Sequence, residues 1–189
     1  YGMGSQKFQA QLKTFGVDIS EEECSRIITV YRATYGQIPK LWEEAQTCIK
    51  AIVEDKGASL GREGVVEFDP SMKGFLLPSG LWQRYEALER VVDAENKTQY
   101  QYKTRRGVVK IYGGKLVENI CQALARCIIV EQMLQINKKY RPVLTVHDAI
   151  ACIAKEEEAE EAKAYVMECM SWTPDWAEGL PVSCEAGYG

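Results

Sequence analysis

Apolar positions recur along this chain with two spacings, and the switch between them marks out its elements. Ser20 followed by Glu23 forms an S-x-x-E capping pattern and opens a helix through SRIITVYRATY, with Ile27, Ile28, Val30 and Tyr31 as its apolar face. A second helix is expected from Pro39, at a first-turn position, to about Asp55, with Gly57 ending it. Between 58 and 79, Gly61, Gly64, Pro70, Gly74, Pro78 and Gly80 punctuate the short runs VVEF and GFLL. That pattern predicts loops and a small hairpin, which LWQRYEAL could continue as a strand. A partly β-branched segment from Tyr100 to Tyr112 leads to Gly113-Gly114.

The strongest helical pattern follows in KLVENICQALARCIIVEQML. Leu116, Ile120, Leu124 and Ile128 stand at successive intervals of four, with Val117, Cys121 and Ile129 beside them, so one wide face is apolar. Lys115, Asn119, Gln122 and Arg126 make a polar stripe along another face. Such a stripe suits solvated surface, and it equally suits contact with nucleic-acid groove edges, since Asn and Gln both donate and accept. Pro142 blocks further helix, and VLTVHDAIACIA reads as a strand or hairpin with His147-Asp148 at its tip. An acidic helix is expected from about Glu156 to Met170, and LPVSCEAGYG as a short terminal strand.

A charged pair amid an apolar run needs a partner or a task, because an unpaired buried charge costs several kcal/mol. One explanation places Asp148 in a tight turn, bonding the backbone, with His147 alongside. A nucleophilic triad is disfavoured, since no G-x-S-x-G elbow accompanies the pair. A divalent-metal site is the third explanation, with the Asp148 carboxylate holding Mg²⁺ and substrate phosphates as co-ligands. It requires a further carboxylate from elsewhere.

Composition narrows these choices only slightly. The 189 residues are 46% hydrophobic and 26% charged, ordinary for a globular protein, and a formal charge of −4 disfavours nonspecific coating of nucleic acid. Charge is segregated, however. Residues 96–115 hold Lys97, Lys103, Arg105, Arg106, Lys110 and Lys115 without an acid, whereas glutamates crowd 156–168. Seven cysteines without Cys-x-x-Cys, and a single histidine, speak against a disulfide framework or a Cys/His zinc site and for a reducing, cytoplasmic setting. No run is long enough for a membrane span.

Tyr1-Gly2-Met3-Gly4, GFLLPSG at 74–80, YGGKLVENICQALAR at 112–126, VHD at 146–148 and the ending LPVSCEAGYG occur in an order that resembles a phage-type family A DNA polymerase. The resemblance spans nearly the whole chain. It implies an α+β fold around an antiparallel palm sheet, with residues 1–95 as the end of the fingers and 96–189 as the C-terminal part of the palm. Tyr1 and Gly2 resemble the end of the fingers helix, where the tyrosine stacks at the templating position. The helix bearing Gln122 is similar to one beside the primer-template minor groove, which implies DNA contact by Lys115, Asn119, Gln122 and Arg126. VHD is similar to the palm hairpin, so Asp148 is expected to bind catalytic Mg²⁺ and His147 to support the primer terminus. A second carboxylate is expected upstream of Tyr1, in another portion of the same polymerase. Primer-template DNA and dNTP are the expected partners, with Arg105 and Arg106 on phosphates. Ala149 stands where relatives commonly carry an acid. A related single-subunit RNA polymerase and a non-enzymatic DNA-binding remnant remain the alternatives.

Overall fold

The computed structural model describes residues 2–61 and 65–189. Its elements are mixed helix and strand with antiparallel pairing throughout, which makes the fold α+β. The chain divides into two compact units. One comprises the residues up to Leu76 with Leu81–Cys121, and the other comprises Leu77–Gly80 with Gln122–Gly189.

The first unit opens with helices α1 (Ser5–Thr14), α2 (Glu21–Thr34) and α3 (Gln37–Val53). Helix α1 has no buried residue, and its weak apolar signal left it unanticipated. Gly16, at φ +76°, lets the Val17 N–H close back onto the Leu12 carbonyl and ends it. Ser20 caps α2 as expected, its hydroxyl accepting the Glu23 N–H at 3.1 Å, but the Glu23 carboxylate turns to Arg26 instead of completing a reciprocal box. The expected apolar face of α2 is largely uncovered. Only Cys24 is buried, while Ile27, Val30 and Tyr31 are exposed.

Helix α3 begins two residues before Pro39 and buries Ala45, Cys48, Ile49 and Ile52. It ends at Val53, and the residue that terminates it is Asp55, not Gly57. Asp55 takes the left-handed conformation at φ +55°, and the Lys56 N–H bonds the Ala51 carbonyl at 2.9 Å. Asp tolerates that backbone region better than most side chains, so no glycine is required.

Beyond α3 a four-stranded antiparallel sheet runs in order through β1 (Ala58–Ser59), β2 (Glu67–Asp69), β3 (Gly74–Leu76) and β4 (Trp82–Arg84). The expected hairpin and its continuation are both there. A three-stranded sheet follows, from β5 (Glu89–Val92), β6 (Thr98–Thr104) and β7 (Gly107–Ile111). Asp93 fastens the β5–β6 turn by accepting the Glu95 and Lys97 N–H groups at 3.0 and 2.8 Å, and its carboxyl is held below the usual range chiefly by the Lys97 bond.

Helix α4 (Gly113–Ile136) starts in the first unit and finishes in the second. Gly113 and Gly114 form its first turn instead of a separate loop. The second unit continues with the hairpin β8 (Arg141–Val146) and β9 (Ala149–Ile153), a 3₁₀ turn, and α5 (Ala159–Ser171). Its core gathers Ile136, Tyr140, Ala162, Cys169 and Met170, against which Ile150 and Cys152 of β9 pack. The expected terminal strand does not form. Residues 181–189 form no regular element, with Val182, Cys184 and Ala186 half-buried between exposed neighbours, and among the described residues no strand pairs with them. They carry the period of a strand without its ladder. Cys184 instead reaches the Met167 carbonyl, and Tyr188 donates to Glu160 on α5.

Candidate functional site

The β8–β9 hairpin is built around its tip. Val146 pairs with Ala149, leaving His147 and Asp148 as the two turn residues. His147 adopts φ +54°, as a tight two-residue hairpin turn requires at its first position, and histidine enters that region more readily than most residues. Both side chains are exposed. Behind the tip, Ile150 and Cys152 anchor one face in the core, whereas Leu144, Val146 and Ile153 on the other are at least half exposed. Val143 lies at a bulge where the register shifts between Pro142 and Leu144. The hairpin thus lifts one imidazole and one carboxylate into solvent on an anchored support. Asp148 to Lys155 also border an open cavity of about 1480 Å³ inside the second unit, walled by α4, α5 and the C-terminal residues.

Among the described residues, no group of three or more His, Cys, Asp and Glu side chains gathers into a metal-ligand cluster. Asp148 therefore offers a divalent ion one carboxylate and no complete cage. The seven cysteines are free thiols.

The candidate DNA-contacting residues fall into three settings. Tyr1 lies outside the described residues. Gly2, at φ +73°, sits where an added Cβ would touch the Tyr112 ring at 3.5 Å. Arg105 and Arg106 occupy the tip of the β6–β7 hairpin and are exposed, with the Thr104 hydroxyl accepting the Arg106 N–H and donating to the Gly107 carbonyl. Neither guanidinium has an ion-pair partner among the described residues, whereas Lys97, at the opposite end of β6, is paired with Glu95.

The polar residues of α4 are not equivalent. In the first unit Lys115 is half-buried and paired with Glu118 at 3.0 Å, and Asn119 donates its Nδ2–H to the Tyr85 hydroxyl at 3.2 Å. In the second unit Gln122 and Arg126 are exposed. Tyr85 is itself 2% exposed, and burial pushes its hydroxyl up to about 12, against hydrogen bonds from Asn119 and Gln83 that pull the other way.

Two residues that organise these elements carried weaker sequence signals. Gln132 is completely buried, its amide donating to the Met170 and Trp172 carbonyls at 2.8 and 2.9 Å. It continues the row of Leu116, Ile120, Leu124 and Ile128 at the same interval, so a polar residue in register with an apolar row was the available clue. Tyr85 had no local signal, because its partner Asn119 lies 34 residues away.

Comparison with known proteins adds one relationship. The chain is similar to a protein named DNA polymerase from Bacillus phage SP02, 29% identical over 185 residues that cover 93% of this chain. The chain spans 28% of that relative's length. No family model matches, and no solved structure matches.

Proposed function

We propose that this chain is the C-terminal palm and partial fingers portion of a phage-type family A DNA polymerase, which transfers nucleotidyl groups from dNTP to a primer 3′-hydroxyl on a DNA template. The observation that carries the proposal is Asp148, exposed beside His147 at the tip of a hairpin whose other end is anchored in the core. A carboxylate placed so suits a divalent cation, and likeness to a phage DNA polymerase along most of the chain favours nucleotidyl transfer as its task. The described residues do not complete an Mg²⁺ site, so in this proposal a second carboxylate comes from an upstream portion of the same polymerase. Two Mg²⁺ ions held by the completed set would supply the charge neutralisation that phosphoryl chemistry demands.

The chain's own residues would position DNA. Arg105 and Arg106 offer exposed guanidinium groups to phosphates, while Gln122 and Arg126 present exposed groups from α4, and His147 would lie against the primer terminus. Gly2, with Tyr1 before it, would belong to the fingers side.

Primer extension by the chain alone, and then mixed with the upstream portion, tests this assignment. The expected result is no templated synthesis alone and Mg²⁺-dependent deoxynucleotide incorporation on mixing. In the mixture Asp148→Asn should lower kcat by more than the roughly 10–100-fold that outer-sphere partners of a metal contribute, with little change in DNA affinity. Parental rates in that variant would refute the role of Asp148, and incorporation of ribonucleotides would favour the related RNA polymerase. A non-enzymatic DNA-binding remnant is the second reading, favoured by Ala149 directly after Asp148. DNA binding without Mg²⁺-dependent synthesis in the mixture would establish it.

A further inference from the structure

The open cavity of the second unit carries a polar group that its surroundings do not satisfy. Gln132 belongs to the cavity wall and is completely buried. Its Nε2 donates to two carbonyls, those of Met170 and Trp172, so both N–H groups of the amide are taken. Reversing the amide would set its oxygen against the same two carbonyl oxygens, which fixes its orientation. The Oε1 is left as an acceptor without a hydrogen-bond partner among the described residues. A buried acceptor in that state is costly, and the group that relieves it must bring an O–H or N–H. The remaining walls are of two kinds. Ile128, Ile129, Val166 and Met170 give an apolar lining from α4 and α5. Among the charged residues, Asp148, Glu156, Glu157, Glu160 and Glu185 outnumber Lys155 and Lys163. Both lysines are already engaged, Lys155 with Glu158 at 3.5 Å and Lys163 over the Tyr188 ring at 5.7 Å. Such a balance favours a cation and repels an anion.

We propose that this cavity is a binding site for a small amphiphilic amine, whose neutral O–H or N–H donor meets the Gln132 Oε1, whose apolar chain lies along α4 and α5, and whose ammonium group sits among the exposed carboxylates. The inference does not depend on the polymerase assignment and goes beyond it. At about 1480 Å³ the cavity exceeds the roughly 300–1,000 Å³ of ordinary small-molecule sites, so such a molecule fits with room to spare. The three surfaces divide the work between them. Apolar walls supply affinity, the acceptor-only amide selects a donor, and the carboxylates select the sign of charge. An ammonium group would stay at the exposed carboxylates, since burying it against a lone amide oxygen would strip its hydration for one hydrogen bond. β9 supplies one wall, so an occupant touches the strand that leads from the His147-Asp148 tip.

The test is isothermal titration calorimetry of this chain with three series of linear probes matched in chain length. The ω-amino alcohols carry both the donor and the cation, the alkylamines lack the donor, and the ω-hydroxy carboxylates reverse the charge. The amino alcohols should bind saturably at one site, the matching alkylamines roughly two- to tenfold more weakly for want of one hydrogen bond, and the hydroxy carboxylates about tenfold more weakly or worse. Gln132→Leu keeps much of the side-chain volume but removes the acceptor, so amino alcohol and alkylamine should then bind alike, with circular dichroism confirming the fold. Glu156→Gln combined with Glu157→Gln changes exposed positions, so the fold is kept whatever happens at Gln132. That pair should weaken both amine series by a similar factor and preserve the preference for the alcohol. Equal affinity for amino alcohol and alkylamine in the parental chain would overturn the role of Gln132. Equal affinity for amines and carboxylates would reduce the site to a gap into which apolar chains partition, and absence of saturable binding by every probe would overturn the site itself. Each of these failures would leave the polymerase assignment standing.

Discussion

Gly113 starts α4 against the backbone of α3, where its N–H bonds the Gln46 Oε1 at 2.9 Å. An added Cβ would overlap the Trp42 carbonyl oxygen and stand 2.9 Å from the Gln46 backbone nitrogen. Backbone cannot rotate aside as a side chain can. Gly113→Ala should therefore destabilise the chain by more than the ~1–3 kcal/mol typical of an overpacked core, which a urea-unfolding midpoint would register. Tyr85 gives a pH signature at the same scale. Its folded value is raised to about 12 from an ordinary 10, so the folded state holds the phenolic proton more tightly than the unfolded state. The resulting stability is fully present below pH 10 and is lost as pH rises toward 12. Its upper bound is about 2–3 kcal/mol. Unfolding at pH 9 and pH 11 should show a steeper loss in the parental chain than in Tyr85→Phe, and parallel losses would place the titration elsewhere.

Among the elements, the β6–β7 hairpin makes the clearest electrostatic prediction. Replacing Arg105 and Arg106 with Gln should weaken DNA binding at every sequence and reduce the slope of log K against log salt by up to about 2, if each guanidinium neutralises one phosphate. An unchanged slope would mean that the tip does not touch the DNA backbone. The β2–β3 hairpin, α2, α3, α4, β8–β9 and the acidic helix were all legible as elements, because apolar period and local caps fix them. The failures have a common cause in partners that sequence does not name. Residues 181–189 alternate like a strand but have no neighbouring ladder to join, and α1 is marked less by apolar period than by its Gly16 cap. The candidate site divides likewise. The His147-Asp148 tip was readable from a polar pair inside an apolar run, whereas the capture of Asn119 by Tyr85 depends on a long-range contact.

At the scale of the molecule, each unit leaves apolar surface uncovered. The first exposes Phe15, Val17, Ile27, Val30, Tyr31 and Tyr35, and the second exposes Val143, Leu144, Val146 and Ile153. Single exposed apolar residues are ordinary, but two groups drawn from neighbouring segments are a liability for an isolated chain. Sedimentation velocity should show association that grows with protein concentration, and Val30→Ser with Phe15→Ser should diminish it. A monomer throughout the micromolar range would mean that these groups are too dispersed to matter. In the polymerase assignment the upstream portion would cover part of this surface, so mixing should also suppress association.

The lone histidine gives the β8–β9 tip a spectroscopic address of its own. With His147 the chain's single histidine, the imidazole ring signals in a proton NMR spectrum arise from one place, next to Asp148. The frequency and linewidth of those signals report on the tip without isotopic labelling and without resonance assignment of the remaining chain. A paramagnetic ion such as Mn²⁺ settling on the Asp148 carboxylate would broaden them selectively, so the hairpin carries its own gauge of metal occupancy.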